Sequence, residues 1–247
     1  SEKEELLKLI KRVIELLKRV LEEHLRLVED VIRRLKELLD SNEKIVREVI
    51  EDLKRLLDEV RGDKEELDRI KEKLEEVLER YKRRLEEIKR DLERMLEDYK
   101  RELKRIEEDL RRVLEEVERI ATRGEGPAEA LIDKLRKILE RALRELDKLS
   151  KKLDELLKKV LEELEKSNRE IDKLLKDVLR RVEEGGASED LLRKAKKVIT
   201  EVREKLKRNL EDVRRVIEDV KRKSARILEE ARRLIEEVER ELEKIRK

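Results

Sequence analysis

Three consecutive 18-residue blocks decide the fold of this chain: LDRIKEKLEEVLERYKRR (67–84), LEEIKRDLERMLEDYKRE (85–102) and LKRIEEDLRRVLEEVERI (103–120). When the blocks are stacked, apolar residues align in four columns: Leu67, Leu85 and Leu103; Ile70, Ile88 and Ile106; Leu74, Leu92 and Leu110; Leu78, Leu96 and Leu114. An α-helix has about 3.6 residues per turn, so 18 residues complete about five turns. Each column therefore predicts a straight apolar stripe along one helix.

The same period recurs in the rest of the sequence. Aligned sets include Ile14, Ile32 and Ile50; Leu17, Leu35 and Leu53; Leu139, Leu157 and Leu175; Ile199, Ile217 and Ile235; Val202, Val220 and Val238. A seven-residue repeat would impose a left-handed supercoil and an eleven-residue repeat a right-handed one. An 18-residue repeat imposes neither, so we expect nearly untwisted helices.

Helix-breaking residues divide the chain into four nearly equal segments. Glycines occur at 62, 124, 126, 185 and 186, and the only proline is Pro127. The segments predict helices at about 2–61, 64–122, 127–184 and 189–246. Because short loops between long helices give antiparallel neighbours, the predicted fold is all-α. It is a single-chain, antiparallel, up-down-up-down four-helix bundle, one domain spanning residues 1–247 and about 90 Å long at roughly 1.5 Å per residue.

Capping chemistry agrees with these boundaries. Helix starts are predicted by a capping box at Ser1 with Glu4, another at Asp63 with Glu66, Pro127 at a first helical position, and Ser188 as an N-cap. Helix ends are predicted by Gly62, by Gly124 and by Gly185 or Gly186, because glycine suits the left-handed position after a helix.

The tripeptide Arg61-Gly62-Asp63 also matches the motif by which adhesion proteins bind integrins. Its residues have another interpretation, in which Arg61 lies in the last helical turn, Gly62 ends that helix and Asp63 caps the next. A three-residue motif has a high false-positive rate. We therefore interpret the tripeptide as a helix–helix turn.

Composition excludes several classes of function. Charged residues make up 56% of the chain, yet the net charge is only +2, so nothing favours nucleic acid or an anionic membrane as a partner. There is no cysteine, and hence no disulfide or thiolate site. No apolar run approaches the roughly 20 residues of a membrane span. The start SEKEELL is charged from its second residue, so we expect no signal peptide and a soluble protein, cytoplasmic on recombinant expression.

Polar residues interrupt a few of the apolar columns. Distances along the chain from the three turns indicate which of them face one another across antiparallel helices. Two polar layers are predicted, 18 residues apart, or about 27 Å along a helix axis. The first comprises His24, Tyr99, Ser150 and Ser224, and the second comprises Asn42, Tyr81, Ser167, Asn168 and Asn209.

We expect the layers to be structural. An unpaired buried polar group costs about 1–3 kcal/mol, so hydrogen bonding within a layer would fix helix register. His24 is the only histidine and no Glu-x-x-His pair is present, so no metal site and no cofactor are predicted. A catalytic group of His24, Tyr99 and Ser224 would need an acidic orienter and oxyanion donors. Neither is evident, so no catalytic residue and no enzyme activity are predicted.

These features together resemble de novo designed, parametrically built four-helix bundles with straight 18-residue repeats and buried hydrogen-bond networks. The resemblance covers the whole chain and rests on the aligned repeats, the equal helices, the glycine-capped loops and the two polar layers. It implies a hyperstable monomeric scaffold with no natural substrate, cofactor, compartment or required partner.

Two functional interpretations follow. The first is a structural scaffold whose polar layers specify helix register and pairing. The alternative is a designed interaction or switch module, in which residues 1–123 and 127–247 form tethered, heterodimer-like hairpins. Exchange of hairpins between chains would then give a swapped dimer. An enzyme would need a cavity, and the dense columns of Leu, Ile and Val leave no patch of small residues to form one.

Overall fold

A computed structural model describes residues 2–123 and 128–246, and these form a four-helix bundle. The helices are α1 (Glu2–Asp58), α2 (Lys64–Arg123), α3 (Ala128–Glu184) and α4 (Glu189–Arg246). The predicted all-α class with four helices in a bundle is confirmed, and the untwisted form and the length of about 90 Å stay predictions. The expected roles of Ser1, Gly124 and Pro127 at helix ends fall outside the described residues.

The end of α1 differs from the prediction. The helix ends at Asp58 instead of residue 61, and its chain then tightens through hydrogen bonds from Glu59 N–H to the Leu56 carbonyl (3.1 Å) and from Val60 N–H to the Leu57 carbonyl (3.2 Å). This tighter turn carries Val60 into the core, where it is buried. Arg61 therefore lies beyond the helix, and the basic residue in the last turn of α1 is Arg55.

The tripeptide at residues 61–63 is exposed and non-helical. Asp63 begins α2 as predicted, because its carboxylate accepts a hydrogen bond from Glu65 N–H (3.1 Å). Gly62 does not take the predicted left-handed conformation, since Gly186 is the described glycine with a positive φ. The prediction for Gly62 was wrong because the tight turn at residues 59–60 had already ended α1.

The connection between α3 and α4 follows the predicted chemistry closely. Gly186 adopts a φ of 77°, Ala187 N–H donates to the Val182 carbonyl (3.4 Å), and Gly186 N–H donates to the Glu183 carbonyl (3.4 Å). These two bonds define a Schellman motif, which satisfies carbonyls at a helix C-terminus. Ser188 then caps α4, with its hydroxyl oxygen accepting from Leu191 N–H (3.3 Å).

The two glycines should respond differently to alanine. We expect Gly186→Ala to cost about 1–2 kcal/mol, because a Cβ strains the left-handed conformation even though open space surrounds it. We expect Gly62→Ala to be neutral or to stabilise by up to about 1 kcal/mol, because its added Cβ meets only ordinary contacts at 3.8 Å or more. Guanidinium denaturation followed by circular dichroism measures both. A loss at Gly62 as large as that at Gly186 would contradict this assignment.

The apolar columns form the core. Sets that are buried throughout include Ile70, Ile88 and Ile106; Leu74, Leu92 and Leu110; Leu139, Leu157 and Leu175; Ile14, Ile32 and Ile50. Burying one such side chain contributes about 1.5–3 kcal/mol, so the columns supply the main driving force for packing. No large hydrophobic side chain is exposed in the described part of the chain. None of the described helices is long and apolar enough to cross a membrane.

The chain packs as two compact units, and every helix contributes to both. The first unit comprises Ser1–Val31, Arg94–Glu155 and Glu218–Lys247, and the second comprises Ile32–Glu93 and Leu156–Ile217. The predicted single domain stays a prediction. In the second unit, ion pairs join Lys36 with Glu93 and Lys54 with Glu75. The partner's number falls as the α1 number rises, which is the order that antiparallel neighbours give.

Candidate functional site

The first polar layer forms a cluster inside the first unit, which we call the histidine cluster (His24, Tyr99, Ser150 and Ser224). All four residues are buried, and His24 and Tyr99 are 0% exposed. His24 Nε2 lies 2.9 Å from Ser224 Oγ and 3.2 Å from Ser150 Oγ, and the two hydroxyl oxygens are 2.9 Å apart. These contacts join α1, α3 and α4.

Tyr99 joins the histidine cluster in a way that the sequence did not reveal. Its ring stacks on the His24 ring, with centroids 5.3 Å apart and planes inclined by 18°. The Tyr99 hydroxyl, expected to share the hydrogen bonding, has no partner among the described residues. Tyr99 thus completes the contribution of α2 by ring contact, which is the offset geometry that aromatic pairs favour.

The histidine cluster has few protons to share, and its histidine is uncharged. The triangle of Nε2 and two hydroxyl oxygens holds at most two hydroxyl protons when Nε2 accepts, so two of its three contacts are hydrogen bonds at any moment. His24 Nδ1 is buried without a partner in the described chain. Burial lowers the pKa of His24 to about 4. The imidazole is therefore neutral at pH 7.

The second polar layer forms the asparagine cluster (Asn42, Tyr81, Ser167, Asn168 and Asn209), inside the second unit. Asn209 Nδ2 donates to Asn42 Oδ1 (3.0 Å), and Asn42 Nδ2 donates to Asn168 Oδ1 (3.0 Å). The same Asn168 oxygen accepts from the Tyr81 hydroxyl (3.3 Å). One continuous chain of hydrogen bonds thus links α4, α1, α3 and α2.

Two features of the asparagine cluster were not predicted. Asn209 Nδ2 also donates to the backbone carbonyl of Leu38 (3.0 Å), which anchors α4 to the main chain of α1. Ser167 is buried, but its hydroxyl has no partner among the described residues, so it lies in the layer without joining the chain of bonds. Residue spacing gives the height of a side chain in a bundle. It gives neither the rotamer of that side chain nor its backbone partners.

Tyr81 is fixed as a hydrogen-bond donor. Burial raises the pKa of its phenol above the ordinary value, and the negative charge of Glu43 raises it further.

Asn168 differs from the other members of the cluster because it is only half-buried and lines a surface groove of about 430 Å³ between α3 and α4. The asparagine cluster therefore approaches solvent at Asn168.

The chemical capacity of the two clusters is narrow. A serine–histidine pair acts as nucleophile and base when a third group orients the histidine through its other nitrogen. His24 Nδ1 lacks such a group in the described chain, and Tyr99 covers the ring face. Within the part of the chain that the structure describes, no group of three or more metal-ligating side chains is present.

Comparisons with protein-family models, with curated proteins and with solved structures gave no match to this chain. The structure shows an all-helical protein of four helices. No related sequence or family indicates a natural function for it. That result is compatible with the designed class that the sequence resembles.

Proposed function

We propose that this chain is a designed structural scaffold whose two buried polar clusters specify helix register and pairing. The observation that carries this proposal is the continuous chain of hydrogen bonds from Asn209 through Asn42 to Asn168 and Tyr81. It takes one member from each helix. A slip of one turn, about 5.4 Å, would separate all of these groups and leave them buried and unpaired.

The scaffold is also proposed to be non-catalytic and to need no cofactor. The histidine cluster is enclosed by the apolar columns, and its serine–histidine contacts are at the 0–5% exposure of core residues. A substrate would have to enter a close-packed core, which costs the packing of several large side chains. Burial therefore supports a structural role for His24, Ser150 and Ser224.

One observation favours the alternative of an interaction module. Most hydrogen bonds of both clusters join residues 1–123 to residues 127–247, as in His24 with Ser224 and Asn42 with Asn168. The hydrogen bonds that would specify helix pairing thus lie between the two hairpins. A chain built to exchange or release a hairpin would carry its polar groups at the same place.

Light scattering after size exclusion, over a wide range of protein concentration, tests the scaffold proposal. We expect the monomer mass of 30.0 kDa at every concentration. A tagged hairpin of residues 127–247, added in excess, should fail to capture the full chain. A doubled mass, or capture of the full chain, would contradict the closed scaffold and favour the interaction module.

A matched control separates specific pairing from general stickiness. The same tagged hairpin carrying Asn168→Leu and Asn209→Leu keeps the apolar columns and loses two members of the asparagine cluster. If the interaction module is correct, the wild-type hairpin captures the full chain and the leucine variant does not. Equal capture by both hairpins would show that apolar surface alone drives exchange, and the pairing role of the asparagine cluster would be wrong.

A further inference from the structure

A groove of about 590 Å³ runs between α2 and α3 inside the second unit. Val77 and Leu174 give it an apolar lining, and the rest of the lining consists of six cationic side chains and two carboxylates. The whole chain carries a net charge of only +2. With six cations and two carboxylates, the lining carries a net charge of +4, which the composition of the chain did not reveal.

The cations of this groove are not all paired. Lys73 contacts Asp177 (3.3 Å), and Arg84 contacts Glu170 (3.0 Å), so both ion pairs cross from α2 to α3. Between these two pairs, α2 carries Arg80 and α3 carries Lys173, and both line the groove. Neither has an ion-pair partner among the described residues. The Lys73–Asp177 and Arg84–Glu170 ion pairs thus lie on either side of Arg80 and Lys173, which are both positively charged.

Asp177 reports the positive potential in the groove. Desolvation by itself would raise the pKa of this carboxyl. The hydrogen bond from Lys73 and the charges of Arg181, Lys73 and Arg180 outweigh desolvation, so the pKa of Asp177 lies below its ordinary value. Asp177 is therefore shared by three cations, and neither Arg80 nor Lys173 is among them.

We propose that this groove binds a small polyvalent oxyanion of the polyphosphate class between Arg80 and Lys173. A guanidinium group contacts phosphate oxygens in a planar, bidentate fork, and an ammonium group adds a point charge. The volume lies within the roughly 300–1,000 Å³ of small-ligand sites. Both cations are exposed, so affinity depends on several charges acting together and falls with added salt.

The same two helices supply a control groove in the first unit. It has a volume of about 280 Å³, and its lining balances three cations (Arg105, Arg141 and Lys148) against three carboxylates (Glu102, Asp109 and Glu145). Arg105 pairs with Glu102 (3.1 Å), and Arg141 pairs with Asp109 (3.6 Å). Lys148 has no ion-pair partner among the described residues, but the three carboxylates balance the three cations in number, so no anion is expected there.

Titration of the full-length protein with inorganic tripolyphosphate, followed by calorimetry at about 20 mM salt, tests the proposal. Wild-type protein should bind one equivalent saturably. The double variant Arg80→Gln and Lys173→Gln should bind about tenfold more weakly, because two charged contacts are lost. The matched double variant Arg105→Gln and Lys148→Gln removes the same net charge and should change the affinity less than about twofold.

Two outcomes would overturn this proposal. Equal weakening in both double variants would mean that tripolyphosphate responds to net charge and not to this groove. Absence of saturable binding by the wild-type protein would mean that no site exists. All four substituted side chains are exposed, so retention of the helical circular dichroism spectrum verifies that both variants remain folded.

Discussion

Acidification from pH 7 to pH 4 is expected to remove roughly 3 kcal/mol from the free energy of unfolding through His24 alone. The folded pKa of His24 is about 4, whereas its ordinary value is 6.5. Between these values the unfolded chain binds a proton at His24 and the folded chain does not. Stability is thus full above pH 6.5 and is lost as the pH falls towards 4.

The surroundings of His24 explain why the folded protein resists protonation. Its Nε2 faces two neutral hydroxyl groups, Ser150 and Ser224, and its ring face meets Tyr99. Desolvation is the cause of the lowered pKa, and no carboxylate of the described residues offsets it. An imidazolium would therefore be a buried charge without a counter-ion, which proteins avoid by releasing the proton.

Guanidinium denaturation at pH 7, 6, 5 and 4, followed by circular dichroism, measures this effect. The surface ion pairs also weaken as carboxylates protonate, so a control is needed. His24→Gln keeps a neutral polar side chain that does not titrate in this range, and its pH dependence represents the carboxylates alone. The wild-type curve should fall below that of the variant by an amount that grows between pH 6.5 and 4. Parallel curves would contradict the assignment.

The sequence was sufficient for the fold because one period governs all four segments. Ile70, Ile88 and Ile106 are 18 residues apart, and an α-helix turns all three to the same side, so their burial follows from spacing alone. The caps at Asp63 and Ser188 were equally predictable, because side-chain oxygens there satisfy N–H groups within three residues. The end of α1 was not predictable in this way. Gly62 indicated a helix end near residue 61, whereas the tight turn at residues 59–60 ends the helix earlier.

The polar clusters were predictable in position and not in detail. Column position placed Ser167 and Asn209 at one height, yet the Ser167 hydroxyl has no partner among the described residues and Asn209 donates to the Leu38 carbonyl. Rotamer choice depends on the shape of the surrounding core, which a repeat does not encode.

The groove at Arg80 and Lys173 was missed for a related reason. Sequence spacing reveals charge pairs within one helix, whereas these two cations line one groove only because α2 packs on α3.

Replacement of Asn42 is expected to have a similarly large effect. Asn42→Ala should lower the free energy of unfolding by about 2–4 kcal/mol, through the loss of one buried and one part-buried hydrogen bond and the cavity left behind. Asn42 accepts from Asn209 and donates to Asn168, so its removal cuts the chain of hydrogen bonds at its centre. Asn209 keeps Leu38, and Asn168 keeps Tyr81, so neither is left without any partner.

Ser167→Ala is the matched control for this change. Ser167 is as buried as Asn42 and belongs to the same cluster, but its hydroxyl forms no hydrogen bond in the described chain. Because a buried hydroxyl without a partner destabilises the folded state, its removal should be neutral or should stabilise by up to about 1 kcal/mol. Denaturation midpoints of the two variants, measured side by side, distinguish bonding from mere polarity. If both variants lose the same stability, the hydrogen bonds of Asn42 contribute nothing beyond packing, and the asparagine cluster does not hold the four helices in register.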